Sequence, residues 1–309
     1  MRFQRRHMEV LVTIADSGSI HKAALQLGIS QPAVSKILAD IEQGFGAKLF
    51  ERTASGSALT DKGQALVAQA RFLVRSIERM DLAAQSESVV VRFGCIPRAM
   101  RTLMPHIVNR MAETAHSAVS CQLKVVEEAS AALLAGIQSA SLDFAVMRHV
   151  GGDEAIGRQL VVERLYVERP LIVASVRHPL AQRRQIALHS LLQHRWVLPA
   201  MATTSRTVLD RFCQEQGLPL IQPVMQTRSL DSSVALVAAT DLLSLLPESL
   251  ARWYEKTGMV SVLRVAPALP STAVLLVSDP QAVNDPTLAA FRALVLEAAA
   301  SASKSLLPG

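Results

Sequence analysis

The apolar positions near the start of the chain repeat one spacing three times. Met8, Leu11, Val12 and Ala15 stand at i, i+3, i+4 and i+7; Ile20, Ala23, Ala24 and Leu27 repeat it, as do Val34, Ile37, Leu38 and Ile41. That period puts one apolar stripe on each of three short helices. Asp16-Ser17-Gly18-Ser19 breaks the chain between the first two, and Gly28-Ile29-Ser30 between the next two. Ser19 and Ser30 read as N-caps, with side-chain oxygens available to the first orphan N–H groups. Pro32 falls in the first turn of the third helix, where its missing N–H costs little.

Two helices joined by a tight Gly-containing turn, behind a supporting first helix, have the layout of a helix-turn-helix. Gln31, Ser35 and Lys36 fall on the outer side of the third helix, away from Val34, Ile37 and Leu38. Side chains of this kind reach base edges and phosphates in a major groove. The bland alternative is a three-helix bundle with a solvated outer face. Lys48 to Arg52, the small polar run Thr53 to Ser57, and Ala58-Leu59-Thr60 then read as a two-stranded wing. Arg52 is placed there to meet the backbone or minor groove.

From Thr60 to about Gln85 there is no proline, and Gly63 is the only glycine. Leu66, Ala70, Leu73, Ile77, Met80 and Ala84 step by 4, 3, 4, 3, 4, a heptad seam with Arg71, Arg75, Glu78, Arg79 and Asp81 off it. Such a helix is roughly 40 Å long. It reads either as a dimerising linker or as a helix packed on its own domains.

After Ser88 the period changes to alternating strands and helices. Strands are expected at Val89–Gly94, Val119–Val126, Asp143–Val146, Pro170–Val176, Val224–Arg228, Leu242–Leu246 and Ala273–Ser278, with Trp196–Pro199 a further extended stretch. Helices are expected at Met100–Ala112, Ala129–Ser139, Ser205–Gln216, Leu230–Ala239 and Pro286–Ser301. This rhythm implies mostly parallel sheets covered by helices. Ligands of such sheets sit beyond the carboxyl ends of strands, at helix N-termini. Ile96, Pro97 and Arg98 occupy one such place and Thr203, Thr204 and Ser205 another; Met147-Arg148 and Arg228 end further strands. Against this, Thr204 and Ser205 read equally as plain N-caps, and the arginines as surface charges.

Composition bounds the reading more than it directs it. Half of the 309 residues are apolar, which excludes a disordered chain, and 4% are aromatic, which argues against a base-stacking groove for single strands. Three distant cysteines make neither a disulfide framework nor a zinc site, and fit a reducing compartment. The basic start has no apolar segment after it, and the richest apolar run is broken by Asp241, so neither a signal peptide nor a membrane span is expected. No hydrolase elbow, zincin, Walker or dinucleotide motif is present, and the eight histidines show no metal spacing. The net charge of +6 permits an anionic partner; residues 1–88 hold 11 Lys/Arg against 9 Asp/Glu, so the greater excess, +4, lies beyond them.

The combined N-terminal pattern is specific. Ala23-Ala24-x2-Leu27-Gly28-Ile29-Ser30-Gln31-Pro32-Ala33-Val34-Ser35, then Leu49-Phe50-x-Arg52, then Leu59-Thr60-x2-Gly63, resembles the LysR-type transcriptional regulators over about the first 65 residues. The resemblance implies an α/β multidomain protein. It would have a winged helix-turn-helix at 1–62, a linker helix at 63–88 and a two-lobed effector domain at 89–309. That domain would resemble type 2 periplasmic-binding proteins, with lobe I at about 89–165 and 268–309 and lobe II at about 166–267. By matching position, Ser30 caps the recognition helix, Gln31, Pro32 and Ser35 approach bases, and Lys36 and Arg52 meet phosphates or the groove edge. Many relatives have Arg where Lys36 stands, and lysine offers a point charge rather than a fork.

Ile96, Pro97, Arg98, Met147, Thr203, Thr204, Ser205 and Arg228 are the expected effector contacts, for a small and anionic ligand. The implied partners are double-stranded promoter DNA, a second copy or a tetramer of this chain, and RNA polymerase, in the cytoplasm, with no cofactor, metal or catalysis. Thr240-Asp241-Leu242 stands where many relatives have Gly-x-Gly, which suggests a reshaped turn lining the cleft. Cys213 lies where a peroxide-sensing branch has a resolving cysteine, but Thr203-Thr204 replaces the expected partner, so an inert buried thiol is expected. A solute-binding protein or a small-molecule enzyme on the same scaffold are the rival classes. The N-terminal module opposes the first, and the missing catalytic groups oppose the second.

Overall fold

The computed structural model describes residues 3–53, 56–84, 89–113, 121–148, 160–201 and 203–306. The three stripes form α1 (Arg5–Ser17), α2 (Ile20–Leu27) and α3 (Gln31–Phe45), packed through Val10, Leu11, Ile14, Ala23, Ala24, Val34, Leu38 and Ile41. Gly18 and Gly28 end α1 and α2 in the left-handed conformation, at φ 62° and 64°. Ser30 caps α3, its Oγ accepting from the Ala33 N–H at 3.3 Å. Ser19 holds the N-cap position of α2 without a capping bond. Its own N–H instead donates to Ser17 Oγ at 3.4 Å, so the turn, rather than the helix, takes the hydroxyl contact.

Strands β1 (Phe50–Thr53) and β2 (Gly56–Leu59) pair antiparallel as the wing; residues 54 and 55 of the expected turn lie outside the described residues. Glu42 fixes the wing to α3. Its buried carboxylate accepts from the Leu49 N–H at 2.9 Å and the Phe50 N–H at 3.4 Å, and meets Lys48 Nζ at 2.6 Å. Thr60 then caps α4 (Asp61–Ala84), its Oγ1 accepting from the Gly63 N–H at 3.0 Å. A Cβ on Gly63 would stand 2.0 Å from the Leu49 carbonyl oxygen, so only glycine lets the helix approach the wing this closely.

The heptad seam of α4 divides in two. Leu66 is half-buried against the N-terminal core and Ala70 is buried, whereas Leu73 and Met80 are 46% and 71% exposed. The arginines off the seam are not solvated. Arg71 bonds Asp16 of α1 and the Ser139 carbonyl, Arg75 lies 3.7 Å from Asp143, and Arg79 bonds Asp285 at 2.7 Å. Burial, then the nearby cation Arg92, lowers Arg75 to about 10.

The effector half begins with β3 (Val89–Cys95), α5 (Pro97–Thr102), α6 (Met104–Glu113), β4 (Cys121–Glu127), α7 (Ser130–Gln138), β5 (Phe144–Arg148) and β6 (Val161–Glu168). The second lobe follows: β7 (Pro170–Ala174), β8 (Ile186–Ala187), β9 (Val197–Pro199), α8 (Thr204–Glu215), β10 (Met225–Thr227), α9 (Leu230–Ala239), β11 (Ser244–Pro247), α10 (Glu248–Lys256), β12 (Ser261–Val262) and β13 (Val265–Ala266). The chain returns through β14 (Thr272–Ser278), α11 (Pro280–Asn284) and α12 (Pro286–Leu306). Residues 119 and 120 of the expected second strand lie outside the described residues. The single helix expected over Met100–Ala112 is two, because the Pro105 ring cannot continue α5.

The first lobe's sheet runs β4-β3-β5-β14-β6, with β3 parallel to β4 and β5, and β14 antiparallel to β5 and β6. In the second lobe β9 and β10 are parallel, while β7 is antiparallel to both β11 and β12. The sheets are therefore mixed rather than mostly parallel. The reason is connectivity: β6 leaves the lobe and β14 returns to it, so the two must run in opposite senses. Phe93, Phe144 and Phe291 centre one core, and Trp196 the other, its indole N–H donating to the Leu191 carbonyl at 3.0 Å.

The Glu42 clamp has a measurable pH signature. Burial alone would raise its carboxyl, but the Lys48 ammonium and the two N–H donors outweigh that and hold it below its ordinary 4.5. Lys48 is itself largely exposed, so water screens part of its share. Glu42→Ala should cost about 1–3 kcal/mol of stability near neutral pH, the penalty of a buried N–H left unmet. Because the folded value is depressed, the gain is complete above 4.5 and is lost as pH falls through that depressed value. Thermal unfolding of wild type and variant across pH 3–7 checks both the size and the direction.

Candidate functional site

Two separate surfaces carry the expected residues. On α3, Gln31, Pro32, Ser35 and Lys36 are all exposed on the side opposite Val34, Leu38 and Ile41. The Ser30 cap and the Gly28 turn set the angle at which this face leaves α2. Arg52 pairs through its backbone with Ser57, and its side chain is outside the described set. Lys48, at the start of the wing, is tied to Glu42.

The second surface is a cavity of about 100 Å³ between the lobes. Seven of the eight expected effector contacts line it: Ile96, Pro97, Arg98, Thr203, Thr204, Ser205 and Arg228. Met147 does not. It is 1% exposed within the first lobe's core, because neighbouring side chains on a strand point to opposite faces. Arg148, the next residue, lines the cavity in its place. The reshaped turn Thr240-Asp241-Leu242 is also absent from the lining; Thr240 Oγ1 donates to the Leu236 carbonyl at 2.6 Å and closes the end of α9.

Arg148 sits at the lobe junction. It ends β5 in the first lobe, and its Nη2 donates to Ser205 Oγ of the second lobe at 2.7 Å. Its Nε and Nη1 are buried with no hydrogen-bond partner. Burial lowers its pKa, partly opposed by Glu168 and reinforced by Arg98, although a guanidinium stays charged at neutral pH. Arg98 is equally buried, stacks over Tyr166 at 5.1 Å, donates to Ser249 Oγ at 2.9 Å and pairs with Glu168 at 2.5 Å. Glu168 is held by the Ser249 N–H at 3.0 Å. Two buried cations thus share one buried carboxylate.

Helix starts add to this positive field. Ser130 and Thr204, the first residues of α7 and α8, and Ser229, the N-cap of α9, all line the cavity. Neither Thr204 nor Ser205 caps α8. Thr204 Oγ1 donates to the Arg148 carbonyl at 3.4 Å, and Ser205 Oγ accepts from the Arg148 guanidinium. Arg228 reaches Glu128 across the cleft mouth at 3.5 Å. Cys213 is fully buried, and burial, then Asp210, pushes its thiol pKa up, as expected of an inert cysteine.

A hinged two-lobed α/β domain with a positive interlobe cavity, carried on a winged helix-turn-helix, defines an effector-responsive DNA-binding protein. The family models agree with that class. Residues 5–64 match the bacterial regulatory helix-turn-helix protein of the lysR family, and residues 84–300 match the LysR substrate binding domain. The chain belongs to the LysR family of DNA-binding transcriptional regulators with an effector-binding domain.

Among its relatives, the regulator TdcA of Escherichia coli K12 is 31% identical over 246 residues, 78% of this chain and 76% of TdcA. The regulator YdcI of the same organism is 28% identical over 253 residues, 80% of each chain. Among solved structures, ArgP from Mycobacterium tuberculosis superposes with a TM-score of 0.77 at 18% identity, over 96% of this chain and 98% of ArgP. LysG from Corynebacterium glutamicum, solved with Arg as bound effector, gives 0.70 at 19% identity, over 97% and 99%. No described helix is long and apolar enough to cross a membrane, and no metal-binding cluster occurs among the described residues.

Proposed function

We propose that this regulator binds promoter DNA as a dimer or a pair of dimers and responds to a small anionic effector between its lobes. The observation that carries the anionic reading is the Arg148 guanidinium, buried at the joint with Nε and Nη1 unmet. A carboxylate there would accept a charge-assisted hydrogen bond from an unmet N–H group of this guanidinium. An amino-acid effector, as in LysG, presents such a group. The cavity holds about 100 Å³, enough for a few light atoms in this closed arrangement, so a larger ligand requires the lobes to part. An effector shifts the assembly only through its different affinity for the two arrangements.

DNA reading falls to Gln31, Pro32 and Ser35, with Lys36 and Arg52 on phosphates or the groove edge. The exposed Leu73 and Met80 supply an apolar strip of α4 for a second copy, whose α3 then meets the next major groove about 34 Å along. RNA polymerase contact and a cytoplasmic setting complete the reading.

In gel-shift assays on intergenic DNA beside its own gene, we expect salt-sensitive, site-specific retardation. Gln31→Ala and Ser35→Ala should each reduce specificity by about 1–3 kcal/mol per lost base contact without changing oligomer mass. Equal retardation of unrelated DNA by wild type would defeat the reading.

A Leu73→Asp, Ile77→Asp double variant should lower the mass seen by light scattering to that of one chain. Unchanged mass would remove α4 from the interface.

Arg148→Met should raise the melting temperature of the ligand-free protein, since an unpaired buried charge is replaced by an apolar chain. It should also erase the thermal shift produced by small carboxylates. A shift that survives the substitution would place the anion elsewhere.

A further inference from the structure

A second concavity, of about 510 Å³, lies apart from the interlobe cavity and is roughly five times as large. Its walls come from both lobes. Met100 and Arg101 of α5 and Pro105 of α6 form one side; Leu250, Trp253 and Lys256 of α10 form the other. A groove of several hundred Å³, apolar with a few polar groups, has the make-up of a small-molecule site.

Its chemistry is one-sided. The lining contains three cations, Arg101, Arg252 and Lys256, and no carboxylate. Arg101 is engaged by Asp231 and by the Tyr254 hydroxyl at 3.2 Å, and Arg252 by Glu255 at 2.9 Å. Lys256 has no ion pair among the described residues. Beside it, Trp253 is 56% exposed and Met100 38%, large apolar side chains left facing the same space. Trp253 is propped edge-on against the buried Tyr254 ring at 4.7 Å, so its outer face is presented in a fixed orientation. An aromatic ring can stack on that face while an attached anionic group meets Lys256.

We propose that this groove is a second ligand site, for a small aromatic carboxylate, distinct from the site at Arg148. The occupant would touch both lobes. Its wall also includes Ser249, whose Oγ accepts from Arg98 and whose N–H holds Glu168, so the groove and the interlobe cavity share a hydrogen-bonded wall.

The chain has two tryptophans, and Trp196 is fully buried, so Trp253 reports on the groove. The test titrates the full chain with 4-nitrobenzoate, which quenches indole emission, and with its uncharged counterpart 4-nitrobenzamide. We expect saturable quenching by the carboxylate and binding of the amide weaker by up to about fivefold, the worth of one exposed ion pair at its upper end. Lys256→Ala should weaken the carboxylate by a similar factor, Trp253→Phe should abolish the signal, and Arg148→Met should leave it unchanged. Lys256 and Trp253 are surface side chains of α10, and far-UV circular dichroism verifies the fold of each variant, including that of the buried Arg148→Met. Quenching that is non-saturable, equal for the amide, indifferent to Lys256→Ala, retained in Trp253→Phe or lost in Arg148→Met overturns the proposal.

Discussion

A guanidinium buried between two lobes is the constraint around which the effector half is built. Taking Arg148 out of water costs several kcal/mol even after relaxation, and a single bond to Ser205 does not offset that. The second buried cation, Arg98, compounds the cost, and Glu168 is already committed to it and to the Ser249 N–H. The joint is therefore short of negative charge in its ligand-free form. The bond that links β5 to α8 and the two unmet nitrogens belong to one guanidinium, so the anion proposed above would act on the same side chain that joins the lobes. A neutral side chain at 148 would remove that unpaired charge and, on the reading proposed above, the group that senses the anion.

The route from that joint toward DNA runs through charge as well. Arg71, Arg75 and Arg79 are spaced by four along α4, so they form one stripe on the helix. Each meets a different part of the first lobe: the end of α7, Asp143 before β5, and Asp285 before α12. Arg71 also bonds Asp16, at the end of α1 in the DNA-binding unit. Lobe I is thus anchored to the helix that supports the winged domain. No such ion pair joins the second lobe to α4 among the described residues, so a movement of that lobe against the first would also be movement relative to the DNA-binding unit.

Legibility in the sequence followed the distance between partners. The N-terminal unit was readable because its determinants are local: a cap three residues from the N–H it accepts from, a glycine at each turn, an apolar stripe within each helix. The cavity was readable to the extent that strand ends and helix starts mark it, which is why Ile96–Arg98, Thr203–Ser205 and Arg228 meet there. Met147 was misplaced by one residue because β5 is buried along its whole length and shows no polar alternation from which to read its faces. Nothing local marks Glu168 or Ser249 as partners of Arg98, at separations of 70 and 151 residues. Strand β6 and helix α10 were not anticipated at all, and with them went the hinge and the groove beside Trp253.

The net charge shows the same limit from another side. A surplus of +6 says that anions are welcome somewhere, and its greater part lies outside the DNA-binding unit. What decides function is which cations are already answered. Lys48, close to the wing, is neutralised by Glu42, and the α4 arginines are consumed in holding domains together. Lys36 on the outer face of α3 has no such partner among the described residues, and two nitrogens of Arg148 have none at the lobe joint. Those two places, one exposed and one buried, differ in what they can bind. Water screens Lys36, so it contributes a weak, salt-sensitive attraction suited to a phosphate backbone that supplies many charges. The interior screens Arg148 far less, so the single carboxylate proposed to bind there would act on it strongly.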